Sequence, residues 1–297
     1  MNLEDRRLDP IPPEGSAERE AWLRAQEAPW FRGAFLANFN KNQEEFLKDE
    51  AHDIPPLPNS GPETLTRYAG RLGIEKAKGL TADDQAIEAE AARQVEGDLE
   101  GMLERYKALE GSEGGKVLSA DLALELFPAW AGTRESRALK VAAVAEPARA
   151  LVKEAFRRAL YEKPPGSRFL FLGGGEGSGR IAAAKGVDST KRRFDEAAVV
   201  YDSSMGLDFQ NTERRIEEAL AHGHPVDLVF VWCPVEKAVR NAVSEAIHGS
   251  GKTMPMDDIA QDHFHAPRNF RALADKYAGR KDVTVPVIDS SGEAAKG

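Results

Sequence analysis

The chain has one cysteine, Cys233, so no disulfide can form within it, and a reducing compartment is expected. It has no apolar run near the ~20 residues that a membrane-crossing helix needs. Its first residues, Met1-Asn2-Leu3-Glu4-Asp5, are too polar for a signal peptide. No membrane partner is therefore expected, and the cytoplasm is the expected location. Positive charge is in deficit, with 40 Lys and Arg against 49 Asp and Glu and a net charge of −9. That balance lacks the basic footprint of a nucleic-acid binder, and nothing in the composition points to nucleic acid. Metal-ligand spacing is weak. His222 and His224 flank Gly223 with no cysteine nearby, and they read as a loop.

What is present is enough for a substantial core: 297 residues, 41% of them hydrophobic, hold one large or two modest domains. Residues 1–65 read as an arm, in which the proline-rich stretches Asp9–Pro13 and Asp53–Pro58 bracket a polar segment carrying Trp22, Trp30, Phe31, Phe35 and Phe39. Those aromatics suit docking on the protein's own body or binding a protein partner. Residues 66–116 read as helical: Thr81-Ala82-Asp83-Asp84 is a helix start, Ala86–Tyr106 reads as a solvated hairpin, and Gly111–Gly115 is a linker. From residue 117 to 297 the pattern changes. Ser119 as an N-cap, with leucines at helical spacing, predicts a helix over 119–127. A long helix is predicted over 134–161, with Pro147 near a break or first turn.

Four apolar runs then stand out: 168–172, 197–201, 227–233 and 283–288. Helical segments separate the last three, at Asn211–His222 and Val235–His248 and over about 257–277. Continuous apolar strands alternating with helices imply an α/β fold with a parallel sheet covered on both faces. Ligands of such sheets bind beyond the carboxyl ends of the strands. Three features fall there: a glycine loop, Asp202 and Asp289.

The glycine loop is the strongest chemical signal. Phe169–Leu172 breaks into Gly173-Gly174-Gly175-Glu176-Gly177-Ser178-Gly179-Arg180, and Ile181–Lys185 reads as a helix start. Strand, glycine loop and helix is the layout of a P-loop, in which backbone N–H groups and a helix start face an anion. The pattern G-x-x-x-x-G-K-[ST] runs from Gly174 to Gly179, with Arg180 at the lysine position and Ile181 at the hydroxyl position. Gly174, Gly175, Gly177, Ser178, Gly179 and Arg180 are thus the candidate nucleotide-binding residues. Isoleucine cannot coordinate Mg²⁺, which takes oxygen ligands. Asp202, followed by Ser203 and Ser204, is a candidate Mg²⁺ ligand or catalytic base, or else a turn-forming residue. Lys185 reads as a solvated helix residue.

A second glycine stretch, Gly249-Ser250-Gly251-Lys252-Thr253, looks like the end of a P-loop in the wrong context: a helix precedes it, and Met254-Pro255 follows it. It reads as a turn between helices, from which Lys252 is placed to act as a lid cation.

With these stretches in place, residues from about 117 to 291 resemble the zeta toxin family of P-loop kinases, notably the compact zeta-like domains of mobile elements. The resemblance rests on Leu118–Pro128, Ala145–Val152, the glycine loop, Val200–Met205, Val229–Arg240, and Lys252-Thr253-Met254-Pro255 with His263. It implies a P-loop kinase-like parallel sheet flanked by helices, here preceded by a mainly helical N-terminal region. The implied activity is ATP- or GTP-dependent phosphorylation, with Mg²⁺, of a small molecule such as a UDP-amino sugar in a toxin–antitoxin setting. Arg240 and Lys252 then match basic positions that steady the transferring phosphoryl group. The family carries its catalytic aspartate on a strand between the loop helix and the Val-Tyr-Asp strand. The stretch from Arg180 to Val199 has room for a helix and a loop but hardly for another strand, which leaves Asp188 or Asp202 as the base. The alternative is a degenerate, inactive P-loop fold that binds nucleotide or serves as an interaction or structural module.

Overall fold

Phe169–Gly174 (β2) is buried at every position and lies at the centre of a parallel sheet. The computed structural model describes residues 66–248, 250–254 and 256–290. The chain divides into two compact units, and all the described residues except Pro234–Glu236 belong to the first. The expected N-terminal arm lies outside the described residues.

The sheet runs in the order β1–β3–β2–β4–β5, with β1 Val117–Ser119, β3 Val199–Asp202, β4 Val226–Trp232 and β5 Val283–Thr284. A further strand, β6 Val287–Asp289, pairs with the later part of β4. Every strand pair is parallel. Side chains alternate across β2 because a strand has period two. Phe169 and Phe171 join one apolar cluster, while Leu170 and Leu172 join the other. Both faces must therefore be covered, and this is why the strands read as unbroken apolar runs.

Helix α6 Val141–Glu162 covers the first face. Its Phe156 ring meets Phe169, Phe171 and Tyr201 at centroid distances of 5.9, 6.0 and 5.4 Å. Truncating such a residue costs roughly 3–5 kcal/mol. The second face is covered by α7 Arg180–Gly186 and α8 Asp188–Glu196, through Ala184 and Phe194. These two short helices fill the whole interval between the loop and β3, and it contains no strand. Helices α9 Phe209–Ala221, α10 Val235–His248 and α11 Met256–Lys276 follow close to their expected bounds.

The expected helix over 119–127 forms in its first part and stops short. Its first residue closes β1, and helix is confined to α3 Ala120–Leu124 and α4 Pro128–Ala131. Ser119 sits at the N-cap position, but its side chain makes no capping bond. Its hydroxyl donates instead to Asp202 Oδ2 at 3.1 Å, across the β1–β3 register that sets Ser119 beside Asp202. The phenol of Tyr106 fixes this edge strand, donating to the Val117 carbonyl at 2.9 Å and accepting from the Ser119 amide at 2.8 Å.

The expected long helix breaks at Lys140, between α5 Arg134–Leu139 and α6. Thr133 and Ser136 form a capping box that starts α5 afresh. Pro147 is tolerated inside α6, where it is buried. The helical region is less solvated than its composition suggests. Helices α1 Ala82–Gly97 and α2 Leu99–Ala108 bury Ala91, Val95, Met102 and Tyr106 in the same core as α6.

Candidate functional site

Beyond Gly174 the loop turns sharply, with Gly177 at φ 75° and Gly179 at φ 70°. Gly177 is doubly constrained, because a Cβ there would stand 2.5 Å from the Ala238 carbonyl oxygen of α10. At Gly175 a Cβ would meet the His263 ring of α11 at 2.5 Å. The glycines thus let α10 and α11 press directly on the loop.

Arg180 opens α7 and turns its side chain back under the loop, only 10% exposed. Its Nε donates to Asp202 Oδ1 at 2.6 Å. Nη1 reaches the Gly174 and Gly175 carbonyls at 3.4 and 3.3 Å, and Nη2 lies 3.7 Å from Glu176 Oε2. Burial opposes its charge, but Asp202 and Glu176 outweigh that and hold the guanidinium protonated above its already high range.

Lys252 enters from the other side, its Nζ 2.8 Å from Asp121 Oδ1 and 3.2 Å from Glu176 Oε1. Burial again works against this charge, and Asp121 and Glu176 raise the ammonium above its ordinary value. Partial desolvation likewise opposes ionisation of the half-exposed Asp121, but the charge of Lys252, aided by Arg180 and Arg149, holds its carboxyl below the usual range.

Helix α11 pins the loop backbone. Asp262, fully buried, accepts the Glu176 amide at 2.6 Å and the Leu207 amide at 2.9 Å, and the Ser204 hydroxyl donates to it. His263 Nε2 stands 2.7 Å from the Glu176 carbonyl, a contact that needs the proton on Nε2. Burial pushes the His263 pKa down and so favours that neutral ring. The Ser178 hydroxyl is buried without a partner, 2.8 Å from where a Gly174 Cβ would point.

These groups surround a cleft of about 280 Å³ at the carboxyl ends of β2 and β3, lined by Asp121, Glu176, Arg180, Asp202, Asn241 and Lys252 among others. The volume is at the lower end for small-molecule sites. Of the residues singled out in the sequence, Gly177, Gly179, Arg180, Ile181, Asp202 and Lys252 line it. Gly174 closes β2, and Gly175 and Ser178 belong to the loop that follows. Arg240 is exposed and does not line the cleft, whereas its neighbour Asn241 does, donating to the Gly177 carbonyl at 2.8 Å. Asp188 is exposed at the start of α8, away from the cleft. Lys185 pairs with Glu113 at 2.5 Å. The ring of His224 is buried, stacked on Phe169 at 4.3 Å and facing the Leu160 and Ser167 carbonyls.

The donor set does not fit Mg²⁺. Ile181 offers no oxygen, and both Asp202 oxygens are engaged, by Arg180 and by Ser119. A dication at Asp202 would also face the Arg180 guanidinium, and unit charges 4 Å apart already repel by about 4 kcal/mol near a protein surface. Among the described residues no group of three or more acidic, histidine or cysteine side chains is arranged to hold a metal ion.

Asp121, Glu176, Asp262 and Asn241 were not singled out by sequence reasoning as site residues. Asp121 reaches the cleft only because β1 pairs with β3. Asp262 had one signal, its place beside His263.

Neither the protein-family models nor the curated proteins contain a match to this chain.

Proposed function

We propose that the chain is a zeta-toxin-like P-loop fold that binds the phosphates of a nucleotide, without the metal centre of an active kinase. One observation carries this reading. Two cations from distant segments, Arg180 and Lys252, meet at the mouth of a glycine loop at the carboxyl end of the central strand. Cations beside a glycine turn and a helix start are the elements of phosphate recognition. The commitment of Asp202 to Arg180, and isoleucine at position 181, argue against metal-dependent transfer. On this reading the protein works through what it binds, as a nucleotide-responsive interaction or structural module.

The test is calorimetric titration of ATP and GTP, with and without Mg²⁺, on the wild type and Arg180→Ala. Binding of similar strength with and without Mg²⁺, lost in the variant, is expected. Absence of binding by the wild type would overturn the reading.

A second reading, phosphoryl transfer to a small molecule such as a UDP-amino sugar, is favoured by Asp121. Its half-exposed carboxylate projects into the cleft beside Lys252, as a proton acceptor for a substrate hydroxyl would. Mg²⁺-dependent appearance of phosphorylated sugar, absent in Asp121→Asn, would select it.

A further inference from the structure

Glu176 is the one acidic residue within the glycine loop, and its two carboxylate oxygens are divided between the two cations of the cleft. Oε1 faces Lys252 Nζ at 3.2 Å, and Oε2 faces Arg180 Nη2 at 3.7 Å. Among the described residues no other carboxylate lies within ion-pair distance of both: Asp202 pairs with Arg180, and Asp121 with Lys252. The Glu176 backbone cannot drift, because Asp262 holds its amide and His263 its carbonyl. The side chain, by contrast, is 20% exposed and borders the cleft.

We propose that Glu176 is an intramolecular occupant of an anion site whose external ligand is a di- or triphosphate. Phosphoryl oxygens of the ligand replace the Glu176 oxygens on Arg180 and Lys252. This rests on the reading above, that the glycine loop receives phosphate, and narrows it to a class of ligand and a residue that sets affinity. The physical case has three parts. First, the two distances are long for charge-assisted hydrogen bonds, which close to about 2.7–2.9 Å. The carboxylate therefore spans the cations loosely, and a larger anion with more oxygens fits them better. Second, only one Arg180 nitrogen is committed at short range, Nε to Asp202. Nη1 leans on the Gly174 and Gly175 carbonyls at 3.4 and 3.3 Å, so the guanidinium stays anchored while Nη2, which faces Glu176 at 3.7 Å, is the nitrogen a ligand takes over. Third, a tethered carboxylate competes at an effective concentration in the millimolar range. A singly charged ligand gains little by displacing it, whereas a phosphate chain brings more charge and more acceptors to both cations at once.

The experiment uses pyrophosphate as the probe, titrated calorimetrically into the full chain without metal. The wild type should bind weakly, and Glu176→Gln, which keeps the shape and removes the charge, at least 10-fold more tightly. Adding Arg180→Met to Glu176→Gln should abolish the gain. Glu176→Asp, too short to span both cations, should also bind more tightly than wild type, which guards against a folding defect peculiar to one variant. Pyrophosphate should raise the melting temperature of Glu176→Gln more than that of the wild type. Equal or weaker binding by both Glu176 variants, with the wild type binding, would overturn this proposal and leave the glycine-loop reading standing. No binding of pyrophosphate, ATP or GTP by any form would overturn both.

Discussion

Arg180 Nε and Asp202 Oδ1 are 2.6 Å apart, and both side chains are at least nine-tenths buried. The pair joins the first residue of the helix after the glycine loop to the last residue of β3. Removing one partner strands a buried charge, which costs about 3–5 kcal/mol, while replacing both with apolar groups costs much less. Asp202→Ala should therefore destabilise the protein by about that amount, and Arg180→Met with Asp202→Leu by less. Urea unfolding of the single and double variants measures the difference. Equal losses would show that the pair is not coupled.

Besides its pairing with β3, the edge strand β1 is held by the Tyr106 phenol. In Tyr106→Phe the Ser119 amide loses its acceptor in a buried setting, which costs about 1–3 kcal/mol. Hydrogen exchange at the Ser119 amide should quicken more than at Phe171 in the sheet centre. Uniform quickening would mean that β1 does not open separately.

Two loop glycines share a positive φ but differ in surroundings. A Cβ at Gly179 meets nothing within 4 Å, whereas one at Gly177 collides with the Ala238 carbonyl. Gly179→Ala should cost only the backbone strain, about 1–2 kcal/mol. Gly177→Ala should cost clearly more, because α10 must also move. Thermal unfolding of both variants orders them, and the reverse order would refute the packing described for the loop.

Burial lowers the His263 pKa in the folded protein, so the unfolded chain takes up this proton first as pH falls. The stability tied to the neutral ring is complete above the unfolded value of about 6.5 and is lost as pH drops through the folded one. His263→Gln keeps a donor without titrating. Its stability should therefore fall less than that of the wild type below about pH 6.5. Parallel stability–pH curves would remove His263 from the pH response.

The class of fold was legible in the residues. Phe169–Leu172, Val199–Tyr201 and Leu228–Val231 are apolar at every position, and only strands buried on both faces need that. The glycine loop was equally legible, since its composition is local. Val117–Ser119 was not: three residues carry no period, and the following leucines pointed to helix. Tyr106 and the register with β3 made it a strand.

The site divides along the same line. Local pattern placed Arg180 in a loop at a strand end, because burial and turn preference act on neighbouring residues. Which charges meet there was settled by topology. Lys252 reaches Glu176 across 76 positions and Asp121 across 131. Hydrophobic periodicity records which face of an element is buried, not which distant element covers it. The pairings that neutralise Arg180 and Lys252, and with them the role of Glu176, came into being only when α3, β3, the glycine loop and the segment between α10 and α11 converged at one end of the sheet.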